Sequence, residues 1–458
     1  MKCKPDEGTV TYQPFVSGTG GSQCFRIPSL VTLPDGSLLA AADARWNHMG
    51  DGFGIDTMVS CSADGGNTWN YSFVNYLGDN GDRYHPESTA FIDPAMAVKG
   101  NTVYLLVDLY PGGIYIGNAV RGTGYDENGH LLLKRADEES CRCFLSDWTD
   151  GWAVILCRDE ASGIVSEERD VWVDRWFNWY RGKPVAKETL FYGKQSGQEW
   201  ESGQGTGGDQ EIRPEGNLFF ADSPWKVVST SYLYLTKSED GGRSWSAPMM
   251  LNPQVKHASE SFYGVGPGRG LVTEEGRILF PCYVYDGVEG QRSSFIYSDD
   301  DGKSWKRTED ATKTIYSGES QLVELKDGRI RCFFRNNLER VCYADAWKTK
   351  QGYRWEPFVR TEITACSNCQ ISVIARKRSA DGKQVILVSC PADAKERVHG
   401  TVFAARIGKD GEMEWCGKKE ITGEAERFAY SCLTEMEDGA VGLLYEGGEW
   451  PISFEVIC

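Results

Sequence analysis

The sequence predicts an all-β chain, a six-bladed β-propeller with an insertion between early blades. Three observations predict it: a turn-rich composition, six similar hairpins, and a second short motif repeated beside them. The 458 residues include 52 Gly and 17 Pro, with 40% hydrophobic and 25% charged residues, which is globular and neither disordered nor fibrous. Length alone allows two or three ordinary domains, so the repeats must decide the organisation.

The hairpins are VTLPDGSLLAAA, AMAVKGNTVYLLV, LVTEEGRILFPCYV, LVELKDGRIRCFF, VIARKRSADGKQVILVS and LTEMEDGAVGLLYE. Each sets alternating apolar residues on both sides of a glycine turn. The turn glycines are Gly36, Gly100, Gly276, Gly328, Gly382 and Gly439. Apart from the long step between Gly100 and Gly276, they recur with a period of roughly 55 residues, which suits radially repeated four-stranded sheets, each burying its faces against its neighbours. The long step carries charged, Trp-rich sequence and a Gly-rich stretch, SGQGTGG, so residues 114–222 are read as an insertion within a propeller spanning residues 1–458. Its Trp148, Trp152, Trp172, Trp176, Trp179 and Trp200 suit either a wall over a sugar cleft or simple packing.

The second motif, S-x-D-x-G-x-[TS]-W, occurs at Ser62 to Trp69, Ser238 to Trp245 and Ser298 to Trp305, with weaker copies at Tyr343 to Trp355 and Gly408 to Trp415. An Asp among small hydroxyl and Gly neighbours stabilises a tight turn, and the Trp anchors that turn on its sheet. The first strand-like segment, TVTYQPFV, and the last, ISFEVIC, are expected to pair and close the ring.

The formal charge of −17 opposes attraction to nucleic acid or anionic membranes. No apolar run is long enough to span a membrane, and the opening MKCKPDEGTV lacks the apolar stretch of a signal peptide, so the chain is expected to be cytoplasmic or to have lost a leader. The 15 cysteines lie mostly in apolar runs and read as buried free thiols. Cys366 and Cys369 form a CxxC, and Cys141 and Cys143 a CxC, but no second pair completes a zinc set, and no metal is expected.

Unusual polar residues recur at one place in the repeat. Arg26 precedes Gly36, Asp93 precedes Gly100, Glu319 precedes Gly328 and Tyr430 precedes Gly439, each by a similar short stretch of chain. At ~3.3 Å per strand residue these side chains fall near the same end of successive inner strands. The sequence Phe25-Arg26-Ile27-Pro28 followed by ADAR, the repeated Asp-motif turns and FAYS around Tyr430 resemble the bacterial exo-α-sialidase (neuraminidase) family, whose catalytic domain is a six-bladed propeller with such Asp-boxes. The resemblance spans nearly the whole chain.

The resemblance implies a carboxylate-binding set of Arg26, of Arg335, which follows Glu319 at the family's spacing, and of Arg397, in the pattern Arg397-Val-His-Gly400. Independently of any family, guanidinium groups suit that task, because they bind a carboxylate bidentately and keep their proton. The resemblance further implies Asp51 as the acid/base on a loop, Arg45 and Asp93 as contacts to the sugar's O4 and N-acetyl side, Tyr430 as nucleophile and Glu319 as its base. A neutral phenol avoids the repulsion that an attacking carboxylate would meet from the substrate's own carboxylate.

The activity so implied is cofactor-free, retaining release of terminal α-linked sialic acid from sialylated glycans or glycoproteins, whose location implies an extracellular or cell-surface site. The alternatives are an intramolecular trans-sialidase giving an anhydro sugar, a transferase, a sialic acid-binding propeller without turnover, and an unrelated Asp-box propeller acting on another polysaccharide.

Overall fold

The computed structural model describes residues 12–457, apart from 47, 53, 77–88, 137–140, 183–213, 288–289, 377–381 and 449. Trp200, the Gly-rich stretch and the start of the first predicted strand lie outside the described residues. Strands dominate; the helical elements among the described residues are a 3-10 turn at Thr19–Gly21 and one four-residue helix, Asn252–Val255.

Strands Cys24–Thr32, Leu38–Arg45, Ile55–Ser62 and Asn70–Asn75 form an antiparallel run. Ala90–Lys99, Thr102–Tyr110, Tyr232–Ser238 and Met249–Met250 form the next, and one parallel pairing of Ile55 with Ala90 joins the two into a nine-stranded sheet that also takes Gly268–Arg269. Three further antiparallel sheets are built on Ile278–Tyr285, Ile330–Phe334 and Val385–Pro391 as second strands, and a last one on Phe428–Glu435, Val441–Gly447 and Trp450–Val456. The inner strand Cys24–Thr32 touches both Ala90–Lys99 and Phe428–Glu435, while Phe428–Glu435 touches Ser372–Arg376 and that strand touches Ser320–Glu324. This arrangement is propeller-like, and sequence-distant sheets become neighbours: Leu30 N–H meets Cys432 Sγ at 3.2 Å and Leu433 N–H donates to Ser372 Oγ at 2.9 Å. At the ends of the chain Phe15 bridges to Ile452.

All six turn glycines adopt the left-handed φ, from +58° to +87°, that a side chain disfavours. The three Asp-motif turns share one bonding pattern. In the first, Asp64 accepts from Ser62 Oγ, Thr68 N and Thr68 Oγ1, and Trp69 Nε1 donates to Gly66 O at 3.0 Å. Asp240 and Asp300 repeat the pattern. Trp69 is fully buried and meets Phe454 edge-on at 5.2 Å, so the turn of one sheet is anchored on the next.

Between Tyr110 and Tyr232 the chain builds a separate seven-stranded sheet, running from Leu132–Arg135 to Trp225–Val227. Its Leu133, Ile155, Val171 and Phe219 share one core with Phe91, Leu105 and Tyr234 of the strands beneath. Trp179 is buried against Trp225, Trp152 packs on Tyr180 and Trp148 on Phe177. The cysteine expectation fails in this sheet: Cys143 is bonded to Cys157, because adjacent strands place the two residues opposite each other. Cys61 is also disulfide-bonded, whereas Cys366 and Cys369 are buried free thiols.

Candidate active site

Four hairpins bring charged or phenolic groups to one end of the ring, each contributing from the start of its inner strand and the end of its second strand. In the first, Arg26 stands opposite Asp43, with Arg45 beyond it on the same strand. In the second, Asp93 follows Ile92, which stands opposite Asp108. In the third, Arg335 N–H donates to Glu319 O at 2.8 Å, so the spacing of these two residues is that of one cross-strand pair closed by the Gly328 turn. In the last, Glu446 lies opposite the bulge that carries Tyr430.

Three of these inner strands are bulged at the candidate residue: between Arg26 and Ser29, between Ile92 and Ala95, and between Phe428 and Ser431. A bulge re-aims a side chain out of the alternating pattern. Ile27, at φ 59°, and Asp93, at φ 64°, each precede a proline and are strained positions for non-glycine residues. Ile27 is held there by its N–H donating to Glu446 Oε1 at 2.9 Å.

The centre of the site is the Tyr430 hydroxyl, which donates to Glu319 Oε1 at 2.6 Å and accepts from Arg335 Nη1 at 3.1 Å. The same Nη1 also donates to Glu319 Oε2 at 2.9 Å. Burial and the Glu319 charge push the Tyr430 phenol well above its ordinary range, against the pull of Arg335, so it stays protonated until a base takes the proton. Arg26 and Arg397 approach the Tyr430 ring, with Cζ at 5.4 and 5.5 Å from its centroid. Arg26 is anchored by Glu446, its Nε lying 3.2 and 3.3 Å from the two carboxylate oxygens.

Asp51 stands at the solvent side with 59% of its side chain exposed, 2.6 Å from Arg45 Nη1. Arg45 itself is wholly buried: Nε and Nη2 donate to Asp43 Oδ2, and Nη1 also reaches Met49 O and Gly50 O. Its visible task is to tether the Asp51 loop. Asp43 Oδ1 accepts from the Asp93 N–H at 3.1 Å. Burial raises Asp93 well above the usual carboxylate range, with Glu319, Asp43 and Asp108 adding to the effect. All eight residues singled out in the sequence thus lie in this cluster and its supports. Asp43, Asp108 and Glu446 were not foreseen, although each is a lone carboxylate in an apolar run (LLAAADAR, TVYLLVDLY, VGLLYEG). A separate polar recess of about 470 Å³ contains none of the eight, and its Arg292 and Arg307 are engaged by Asp286, Asp310 and Glu260.

Asp108 yields a stability prediction. Oδ1 accepts from Val265 N–H at 2.9 Å, while Oδ2 has no hydrogen-bond partner among the described residues, and burial pushes this carboxyl well above its usual range. Below the unfolded pKa, about 3.9, both states are protonated; above it the unfolded chain releases a proton that the folded chain keeps. Stability is therefore lost as pH rises, by up to about 1.4 kcal/mol per pH unit, until the folded carboxyl ionises. Asp108→Asn keeps the acceptor and removes the titration, so its melting temperature should gain on the wild type as pH rises above about 4. A constant gap between the two would refute the assignment.

Residues 190–443 match the model of the BNR repeat-like domain, which makes the chain a BNR-repeat protein. It is 31% identical over 93% of its length to the anhydrosialidase of Macrobdella decora and 27% identical over 92% to sialidase B of Streptococcus pneumoniae. Among solved structures it resembles the intramolecular trans-sialidase of Ruminococcus gnavus, with 26% identity, a TM-score of 0.76, and 97% of this chain and 96% of that one covered. The chain belongs to the sialidase (neuraminidase) family with BNR, or Asp-box, repeats. It spans 58% and 61% of the lengths of those two curated relatives.

Proposed function

We propose that this chain is a retaining exo-α-sialidase that removes terminal α-linked sialic acid from glycans or glycoproteins. The observation that carries the reading is the Tyr430–Glu319–Arg335 triad, in which a buried neutral phenol donates directly to a carboxylate at 2.6 Å. Arg26, Arg335 and Arg397 bind the substrate carboxylate. Glu319 takes the phenol proton as Tyr430 oxygen attacks the anomeric carbon, and Asp51 protonates the departing glycosidic oxygen. Asp93 faces the sugar, and Arg45 sets Asp51 in place. In the second half-reaction Asp51 takes a proton from a water that attacks the anomeric carbon, and the bond to the Tyr430 oxygen breaks as Glu319 returns the proton to it.

A second reading replaces that water with a hydroxyl of the bound sugar itself, giving an anhydro product. The similarity to an anhydrosialidase and to an intramolecular trans-sialidase across almost the whole chain favours it. Turnover of a fluorogenic α-sialoside, with the released sugar weighed by mass spectrometry, separates the two, since the anhydro sugar is lighter by one water. A wild type that neither cleaves the sialoside nor binds sialic acid would overturn both.

The sheets support six blades, the nine-stranded sheet counting as two joined at Ile55 and Ala90. The sheet between Tyr110 and Tyr232 is then an insertion on the second blade. The Cys143–Cys157 disulfide fits an oxidising, extracellular or cell-surface setting.

A further inference from the structure

The CxxC segment Cys366-Ser-Asn-Cys369 lies directly against the site. Cys369 packs with Ile27, Ala429 and Tyr430, while Cys366 packs in the neighbouring core with Ile371 and Cys390. Gln370 Oε1 accepts from Ser431 N–H at 3.2 Å, which ties the segment to the Tyr430 strand. A tight turn, with Cys369 N–H donating to Ser367 O at 2.7 Å, pushes Asn368 out between buried neighbours, and Asn368 alone of the segment is exposed. The two cysteines are thus apolar anchors for the asparagine between them.

Asn368 touches two of the three arginines. Its Oδ1 accepts from Arg335 Nε at 2.6 Å, and its backbone carbonyl accepts from Arg397 Nη2 at 3.3 Å. We infer that Asn368 is a positioning residue for carboxylate recognition, fixing Arg335 and Arg397 relative to each other while adding no negative charge. The choice of an amide matters. Arg26 and Arg335 already face Glu446 and Glu319, so a further anion beside Arg335 would compete with the substrate's carboxylate for the remaining positive field. A neutral oxygen occupies Nε and leaves Nη2 of Arg335 for a ligand.

The inference rests on the sialidase reading and is tested separately from it. Asn368→Ala should raise KM for an α-sialoside about tenfold, with kcat changed much less, because a hydrogen bond to a charged group is lost on the binding side. Asn368→Asp should keep the melting temperature and Arg335 in place, yet also raise KM. Both variants should lose affinity for free sialic acid but not for its methyl ester, in which the carboxylate charge is absent. An active wild type with an unchanged KM in Asn368→Ala, or equal losses for acid and ester, overturns the inference and leaves the activity standing. Should the wild type prove inactive, the crystal structure of Asn368→Ala still decides: a displaced Arg335 guanidinium supports the positioning role, and an unmoved one overturns it.

Discussion

Tyr430→Phe should lower kcat for an α-sialoside by about 1,000-fold or more while sialic acid still binds with nearly wild-type affinity. The physical reason is the division of labour in the cluster. Removing one oxygen deletes the proposed nucleophile and the 2.6 Å bond to Glu319, but it leaves the ring beneath Arg26 and Arg397, and Arg335 keeps Glu319 as a partner. The guanidinium groups proposed to bind the substrate carboxylate therefore stay where they are. Losing a group that acts only in the transition state lowers kcat without raising KM, and a 1,000-fold loss corresponds to about 4 kcal/mol of barrier. Steady-state kinetics paired with calorimetry of sialic acid binding would measure both quantities. Unchanged turnover would remove Tyr430 from the mechanism, whereas loss of binding with unchanged kcat would make it a structural support for the arginines. Glu319→Gln provides a control, since it keeps Tyr430 but removes its base and should be similarly slow.

The sequence exposed the residues that begin the inner strands and concealed the carboxylates that support them from the second strands. Counting back from the turn glycines located Arg26, Asp93, Glu319 and Tyr430 because the hairpin turn fixes register and the inner strands begin at one end. Arg335 was legible only through the family resemblance, and the structure supplies the reason for its spacing, since it is the cross-strand partner of Glu319. Asp43, Asp108 and Glu446 obey that geometry too, at the far ends of their second strands, yet a carboxylate ending an apolar run reads as a strand terminus until its opposite number is known. Bulges at Arg26, Asp93 and Tyr430 blurred the pattern. They shift register by amounts no alternation pattern records, so the count from glycine to functional residue differs from one hairpin to the next, as it does between Asp93 and Glu319. The Cys143–Cys157 bond was unreadable because it depends on strand neighbours inside a sheet without internal repeats.

The largest stability effect should come from Asp43→Asn, at roughly 3–5 kcal/mol. Asp43 and Arg45 are both without solvent exposure, and Asp43 Oδ2 takes two of the guanidinium's N–H groups, from Nε and Nη2. Burial raises the Asp43 carboxyl and Arg45 pulls it back, so the pair persists only because each charge answers the other. Breaking such a pair on one side leaves the buried guanidinium with only the solvent-exposed Asp51 as an anionic partner, and its desolvation cost dominates. The asparagine still accepts from Asp93 N–H, so the loss reports the charge and not the backbone bond. Arg45→Met in the same chain removes the stranded charge while filling most of its volume, and the double variant should recover a substantial part of the loss seen in Asp43→Asn. Activity should not recover with it. Without Arg45 the carbonyls of Met49 and Gly50 and the carboxylate of Asp51 lose their common donor, so the proposed acid is no longer held over the leaving oxygen. Thermal unfolding of Asp43→Asn, Arg45→Met and the double variant beside their kcat values would separate these outcomes. A double variant whose destabilisation equals the sum of the singles would show that the two charges are not coupled, and a fully active one would show that Arg45 does not place Asp51.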